Sequence, residues 1–148
     1  MEDYRTENFE EPEYRGFAFA NEENLDALRK SGHIVIMDST HKTNKHGWKL
    51  YIVLVRDLFG SWLSGGHFFV SGEEQVIVSK GLLALKRWAR TWVPRYLIID
   101  LSSIEENAVS HAFPGLQQAS KRSAYSTAPS IAERPSSETC KATARAAT

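Results

Sequence analysis

Large apolar residues fall in short runs separated by polar and turn-forming residues, and two of these runs share an ending. His33-Ile-Val-Ile-Met-Asp-Ser-Thr40 carries four consecutive apolar residues, Ile34 to Met37, before Asp38. A short apolar run bounded by polar residues reads as a strand buried on both faces. Tyr96-Leu-Ile-Ile-Asp100 has the same form. An ionised carboxylate is costly in apolar surroundings unless it is paired, hydrogen-bonded or metal-bound, so each Asp is expected where its strand meets solvent.

The rest of the pattern supplies neighbours for these two strands. Glu2 to Tyr14 is acidic and follows neither the helical nor the strand period, which predicts a surface wrap or disorder. Asn21 is placed to cap a helix over Glu22 to Lys30, with acids in its first turn, bases in its last and Gly32 beyond the end. After Thr40, the polar and basic His41 to Gly47 suits a hairpin turn. A second strand runs from Trp48 to Arg56, with Trp48, Leu50, Ile52 and Leu54 on one face and Tyr51, Val53 and Val55 on the other. Asp57 to Gly60 closes another hairpin into a third strand, Ser61 to Val70, whose bulk is Trp62, Phe68 and Phe69. Ser71-Gly-Glu-Glu74 is a capping-box pattern, and Ile77, Gly81, Ala84, Leu85, Trp88 and Trp92 then recur at helical spacing until Pro94. After Asp100, Ser102 and Ser103 each stand three residues before an acid, Glu105 and Glu106, and a short helix with Ile104, Ala108 and Ala112 as its stripe ends at Phe113-Pro-Gly115.

Topology limits where the acids can meet. Two tight hairpins make the first three strands antiparallel, and the helix then returns the chain so that the fourth strand runs parallel to the first. Asp38 and Asp100 therefore arrive at one edge of the sheet, where open mixed sheets bind ligands, and Asp57 is placed at the far end. Two carboxylates there are suited to a pair of magnesium or manganese ions about 4 Å apart, which is the chemistry of metal-dependent phosphoryl transfer. A strand-terminal Asp also caps turns and helices, and Asp100 precedes Ser102-Ser103, so the residues alone leave both readings open.

Composition changes this picture in three places. The chain has 148 residues and zero formal net charge, which suits one domain with additional ends. The charge is unevenly spread: Met1 to Lys30 holds nine acids and four bases, Ser31 to Leu116 seven and nine, and Gln117 to Thr148 two and five. Residues 1–20 read as an acidic extension, 21–116 as the folded domain, and 117–148 as an Ala/Ser/Thr-rich tail expected to be disordered. The single cysteine, Cys140, excludes a disulfide framework and a CxxC zinc knuckle. No apolar run approaches the roughly 20 residues that span a bilayer, and the acidic start is unlike a secretory signal, so an intracellular protein without a membrane partner is expected.

Other side chains carry a plain reading beside a functional one. His41, Lys42 and Lys45 lie in the loop next to Asp38 and are candidates for phosphate-backbone contact, or simply a solvated turn. His67 is a sheet histidine near that edge. His33 and His111 have no partner at metal-ligand spacing. Trp88 and Trp92 fit core packing better than base stacking, and Lys86, Arg87 and Arg90 form either a solvated helix face or a basic ridge.

Four stretches together resemble a known family: Met37-Asp-Ser-Thr-His-Lys-Thr-Asn44, Gly65-Gly-His-Phe-Phe-Val70, Ile99-Asp-Leu-Ser-Ser-Ile-Glu105 and Ala112-Phe-Pro114. Over about Leu25 to Leu116 the chain is similar to the catalytic domain of Mutator-like (MULE) transposases of the fungal type. The resemblance implies a ribonuclease H-like α/β fold, three antiparallel strands followed by helix, parallel strand and helix. It also implies metal-dependent cutting and rejoining of DNA by a DDE triad, with Asp38 and Asp100 as the first two acids and Mg²⁺ or Mn²⁺ as cofactor. Transposon-end DNA, a second copy or a full-length transposase are the implied partners, and the nucleus the implied site of action. In the family the third acid follows the Phe-Pro block on a later helix. Gln117 to Thr148 offers only Glu133 and Glu138, on no apolar face and with Pro135 between them. The domain is therefore expected to be C-terminally incomplete, inactive alone, and prone to association through an open sheet edge. The alternatives are a non-catalytic remnant that binds DNA or a partner, and another ribonuclease H-like nuclease that draws its last ligand from the tail.

Overall fold

Alternating polar and apolar residues build the sheet, and capped amphipathic stretches build the helices that cover one side of it. The computed structural model describes residues 3–42, 44–100, 102–120 and 124–126. In chain order the elements are β1 (Tyr4–Glu10), β2 (Arg15–Asn21), α1 (Glu22–Ser31), β3 (Ile34–Thr40), β4 (Lys49–Arg56), β5 (Trp62–Val70), α2 (Gln75–Trp88), β6 (Tyr96–Ile98), α3 (Ser103–Ala112), β7 (Gln117–Ser120) and β8 (Ala124–Ser126). The strands lie in the order β1-β2-β5-β4-β3-β6-β8-β7. β4 runs antiparallel to both β3 and β5, and β6 runs parallel to β3. This is the mixed α/β arrangement that the hydrophobic pattern predicts.

Among the described residues, the helices pack on one face of the sheet. Val35 and Met37 of β3, Tyr51, Val53 and Val55 of β4, Phe68 and Val70 of β5, and Leu97 of β6 form one buried core with Leu25 and Leu28 of α1, Ile77, Leu82 and Leu85 of α2, and Ala108, Val109 and Ala112 of α3. Close approach depends on glycines in β5. The β4–β5 register slips between Val53 and Leu54, so Gly65 is bulged out of the ladder and Gly65 and Gly66 both receive helix side chains. A Cβ on Gly65 would lie 2.5 Å from Leu28 of α1, and one on Gly66 would lie 2.6 Å from Leu85 of α2. Gly66 also has φ of +142°, a conformation that glycine adopts freely.

Several expectations are corrected. β3 is not buried on both faces: Val35 and Met37 point to the helices, whereas Ile34 is 38% exposed and Asp38 is exposed. The acidic first residues do not form a loose wrap; β1 and β2 pair in register from Tyr4↔Asn21 to Glu10↔Arg15, and β2 pairs with β5. Phe9 and Ala18 fasten this hairpin to the core. Ser71 does not cap α2, because its hydroxyl accepts the Arg15 amide at 2.8 Å; α2 begins at Gln75 with no side-chain cap. Nor does α2 reach Trp92, since it ends at Trp88. Trp92 is nevertheless buried, donating to the Gly32 carbonyl at 2.9 Å and meeting Phe113 edge-on, so it is a core residue and not a stacking platform. On the basic ridge, Arg87 and Arg90 stay exposed, Arg87 forming a surface ion pair with Glu7 of β1, while the half-buried Lys86 donates to the Ala112 carbonyl. Finally, β6 is not an open edge. β8 pairs with it antiparallel, and β7 pairs with β8. Of the tail read as disordered, Gln117–Ser120 and Ala124–Ser126 are strands; residues 127–148, with Glu133 and Glu138, lie outside the described residues.

Candidate functional site

The parallel β3–β6 ladder sets the two acids side by side. It pairs Ile34 with Tyr96 and Ile36 with Ile98, and each chain reaches its aspartate two residues later. Adjacent strands lie about 4.8 Å apart, so the two backbones deliver Asp38 and Asp100 to neighbouring positions. Both are exposed and follow the outward row of Ile36 and Ile98, with Met37 and Ile99 buried on the opposite side. Asp38 stands across from Ile52 of β4, and its Oδ1 accepts the Ser39 amide at 2.9 Å. After Asp100 the chain turns at once, the Ser102 amide donating to the Asp100 carbonyl at 2.7 Å. Asp57 is at the opposite end, closing its own hairpin by accepting the Phe59 and Ser61 amides.

Two further acids and a lysine crowd the same edge. Glu105, in the first turn of α3, is 2% exposed. Its Oε1 accepts the Ser39 hydroxyl at 3.3 Å and lies 3.9 Å from the Lys49 ammonium. Its Oε2 and the Tyr51 hydroxyl are both buried and lie near one another, short of good hydrogen-bond geometry. Burial pushes the Glu105 carboxyl above its ordinary value, Asp100 and Asp38 add to this, and Lys49 and Ser39 oppose it. The same enclosure raises the Tyr51 phenol, with Glu105 and Glu73 contributing. Lys49 also lies 3.4 Å from Glu73, which itself lies 3.7 Å from His41.

Glu105 is the residue that sequence reasoning misassigns. Its place three residues after Ser102 suggests a capping box, yet Ser102 makes no side-chain cap bond. The signal was its spacing: Glu105, Ala108, Val109 and Ala112 form the buried stripe of α3, so an acid occupies an inward position. Lys49 is legible in the same way, heading the inward row Lys49, Tyr51, Val53, Val55.

The remaining candidates lie in the β3–β4 loop and on β5. Lys42 and Lys45 are exposed in the loop beyond β3, and Asn44 stiffens that loop by accepting the His46 and Trp48 amides. His67 is two strands from Asp38, across from Ile52; it bonds Ser64 at 3.0 Å and stacks on Phe19 at 4.9 Å. Burial lowers its pKa.

A hard cation such as magnesium is held by one or two carboxylates, with water and phosphate oxygens completing its shell. Asp38 and Asp100 fit that role as a pair. Among the described residues no three His, Cys, Asp or Glu side chains group closely enough to hold a metal ion by themselves.

The model of the zinc finger SWIM domain-containing protein 1/3, RNaseH-like domain, matches residues 5–119. The chain belongs to that family. The match begins within β1, so the amino-terminal hairpin is part of the ribonuclease H-like domain rather than an extension to it. No curated protein matches the chain. Among the described residues no helix is long and apolar enough to cross a membrane.

Proposed function

We propose that the Asp38–Asp100 edge binds a divalent cation, magnesium or manganese, and serves metal-dependent phosphoryl transfer at a DNA phosphodiester, as in a transposase-type ribonuclease H-like domain. The observation that carries this reading is the parallel pairing of β3 with β6, whose last paired residues, Ile36 and Ile98, each stand two residues before an exposed aspartate. A bound ion supplies Lewis-acid polarisation of a phosphoryl oxygen. The chain's own part is to hold the carboxylates still: the Ser39 amide orients Asp38, and the turn at Ser102 fixes the departure of the chain from Asp100. Lys42 and Lys45, exposed in the loop that follows β3, are the groups for the phosphate backbone. His41 is drawn toward Glu73 and contributes less. Transposon-end DNA, nuclear action and pairing with a full-length transposase rest on the likeness to Mutator-like transposases.

The second reading is a domain that binds DNA or a protein partner without cutting. It is favoured by the absence, among the described residues, of any three His, Cys, Asp or Glu side chains close enough together to hold a metal ion. Manganese titration of the folded chain by calorimetry separates the two. The catalytic reading expects binding that Asp38→Asn and Asp100→Asn each weaken about tenfold or more, followed by manganese-dependent nicking of labelled duplex DNA. DNA binding with no metal requirement and no nicking supports the second reading.

A further inference from the structure

Lys49 and Glu105 are charged groups at inward, core-facing positions, one heading the inward row of β4 and the other on the buried stripe of α3. Charges are tolerated there only when paired, and the Lys49 ammonium meets Glu73 at 3.4 Å and Glu105 at 3.9 Å while lying 5.3 Å above the Tyr51 ring. Four carboxylates thus share the edge, but they are divided by the sheet. Asp38 and Asp100 are exposed on the outer side, and Glu105 is enclosed on the helix side with the ammonium beside it.

We propose that Lys49 is a resident cation of this edge: its ammonium occupies Glu73 and Glu105, keeps both from a divalent ion, and limits the edge to one such ion on Asp38 and Asp100. The inference rests on the cation-binding reading given above and makes it specific, one divalent ion and one fixed ammonium in place of two divalent ions. A second divalent ion approaching Glu105 would meet like charge at ion-pair distance. Glu105 has the capacity to take a cation once that charge is gone, because its Oε1, the oxygen nearest the ammonium, would keep only the Ser39 hydroxyl.

The test is calorimetric titration of Mn²⁺ into the full chain, with folding of each variant checked by circular dichroism. Wild type and Lys49→Arg are expected to bind one ion, and Lys49→Met to gain a second. The double variant Lys49→Met/Glu105→Gln, which removes both buried charges together, is expected to bind one ion within about twofold of the wild-type affinity. Two ions in wild type, or no second ion in folded Lys49→Met, would overturn the proposal. So would a loss of about tenfold in the double variant, which would make Glu105 a ligand; that arm decides the matter even where Lys49→Met fails to fold. No ion bound by folded wild type would refute the cation-binding reading itself, a result recognisable without any variant.

Discussion

Glu105 carries two opposed influences, a low-dielectric enclosure that favours its neutral form and a lysine that favours its charge. Burial is the larger, so its pKa in the fold exceeds the ordinary 4.5. The folded chain then binds more protons than the unfolded one above that pH. Its contribution to stability is full below pH 4.5 and is lost as pH rises through the raised value. Glu105→Gln is expected to remove this part of the pH dependence, as read by denaturant unfolding at a series of pH values; an unchanged slope would show that Glu105 does not titrate differently in the fold. Asp38 and Asp100 differ from Glu105 in being exposed, so their substitution by Asn is expected to change metal affinity far more than stability.

At the level of elements, the edge is positioned by how β5 receives the helices. Its bulge turns two consecutive glycines toward α1 and α2, letting both helices sit close over β4 and β5. Gly66→Ala would place a methyl 2.6 Å from Leu85 at a φ of +142°, and is expected to destabilise the chain by about 2–3 kcal/mol, measured as a fall in the denaturation midpoint. α1 is held at its start by a reciprocal cap in which Asn21 and Asn24 each accept the other's amide, and the Asn24 amide group also donates to the Ser64 carbonyl. Asn21→Ala is expected to cost about 1 kcal/mol in the same measurement. The cap was legible because it is local, an Asn before an amphipathic run. The supposed cap at Ser71 was not, because a strand 56 residues away takes its hydroxyl.

For the whole molecule, the asymmetry between the two faces of the sheet governs solution behaviour. The three helices cover the inner face, while Phe17, Phe19, Leu50, Ile52 and Phe69 are half-buried on the outer one and Ile34 and Ile98 are each 38% exposed. An apolar surface of this extent marks a place of contact or association. The chain is expected to bind an anilinonaphthalene dye and to associate with rising concentration in sedimentation velocity. Ile34→Lys with Ile98→Glu, at positions that tolerate charge, should weaken both effects. The tendency to associate foreseen from an open strand edge is thus reassigned to a face, because β8 pairs with β6 where that edge was expected.

By itself the amino-acid order determined the elements whose signals are local: the apolar runs of β3 and β6, the two-residue alternation of β4, the hairpin at Asp57 and the capped helix α1. It also determined that Asp38 and Asp100 reach one edge, since hairpins and a single helical return leave few ways for the chain to run. Tertiary structure alone decided that the acidic first residues become a hairpin, which depends on pairing with β5, a strand more than forty residues distant. It alone decided that Glu105 and Lys49 meet beneath that edge. Periodicity places each of them facing inward, but only the packing of α3 against the sheet brings an acid and a base that are far apart in the chain into one enclosed pair.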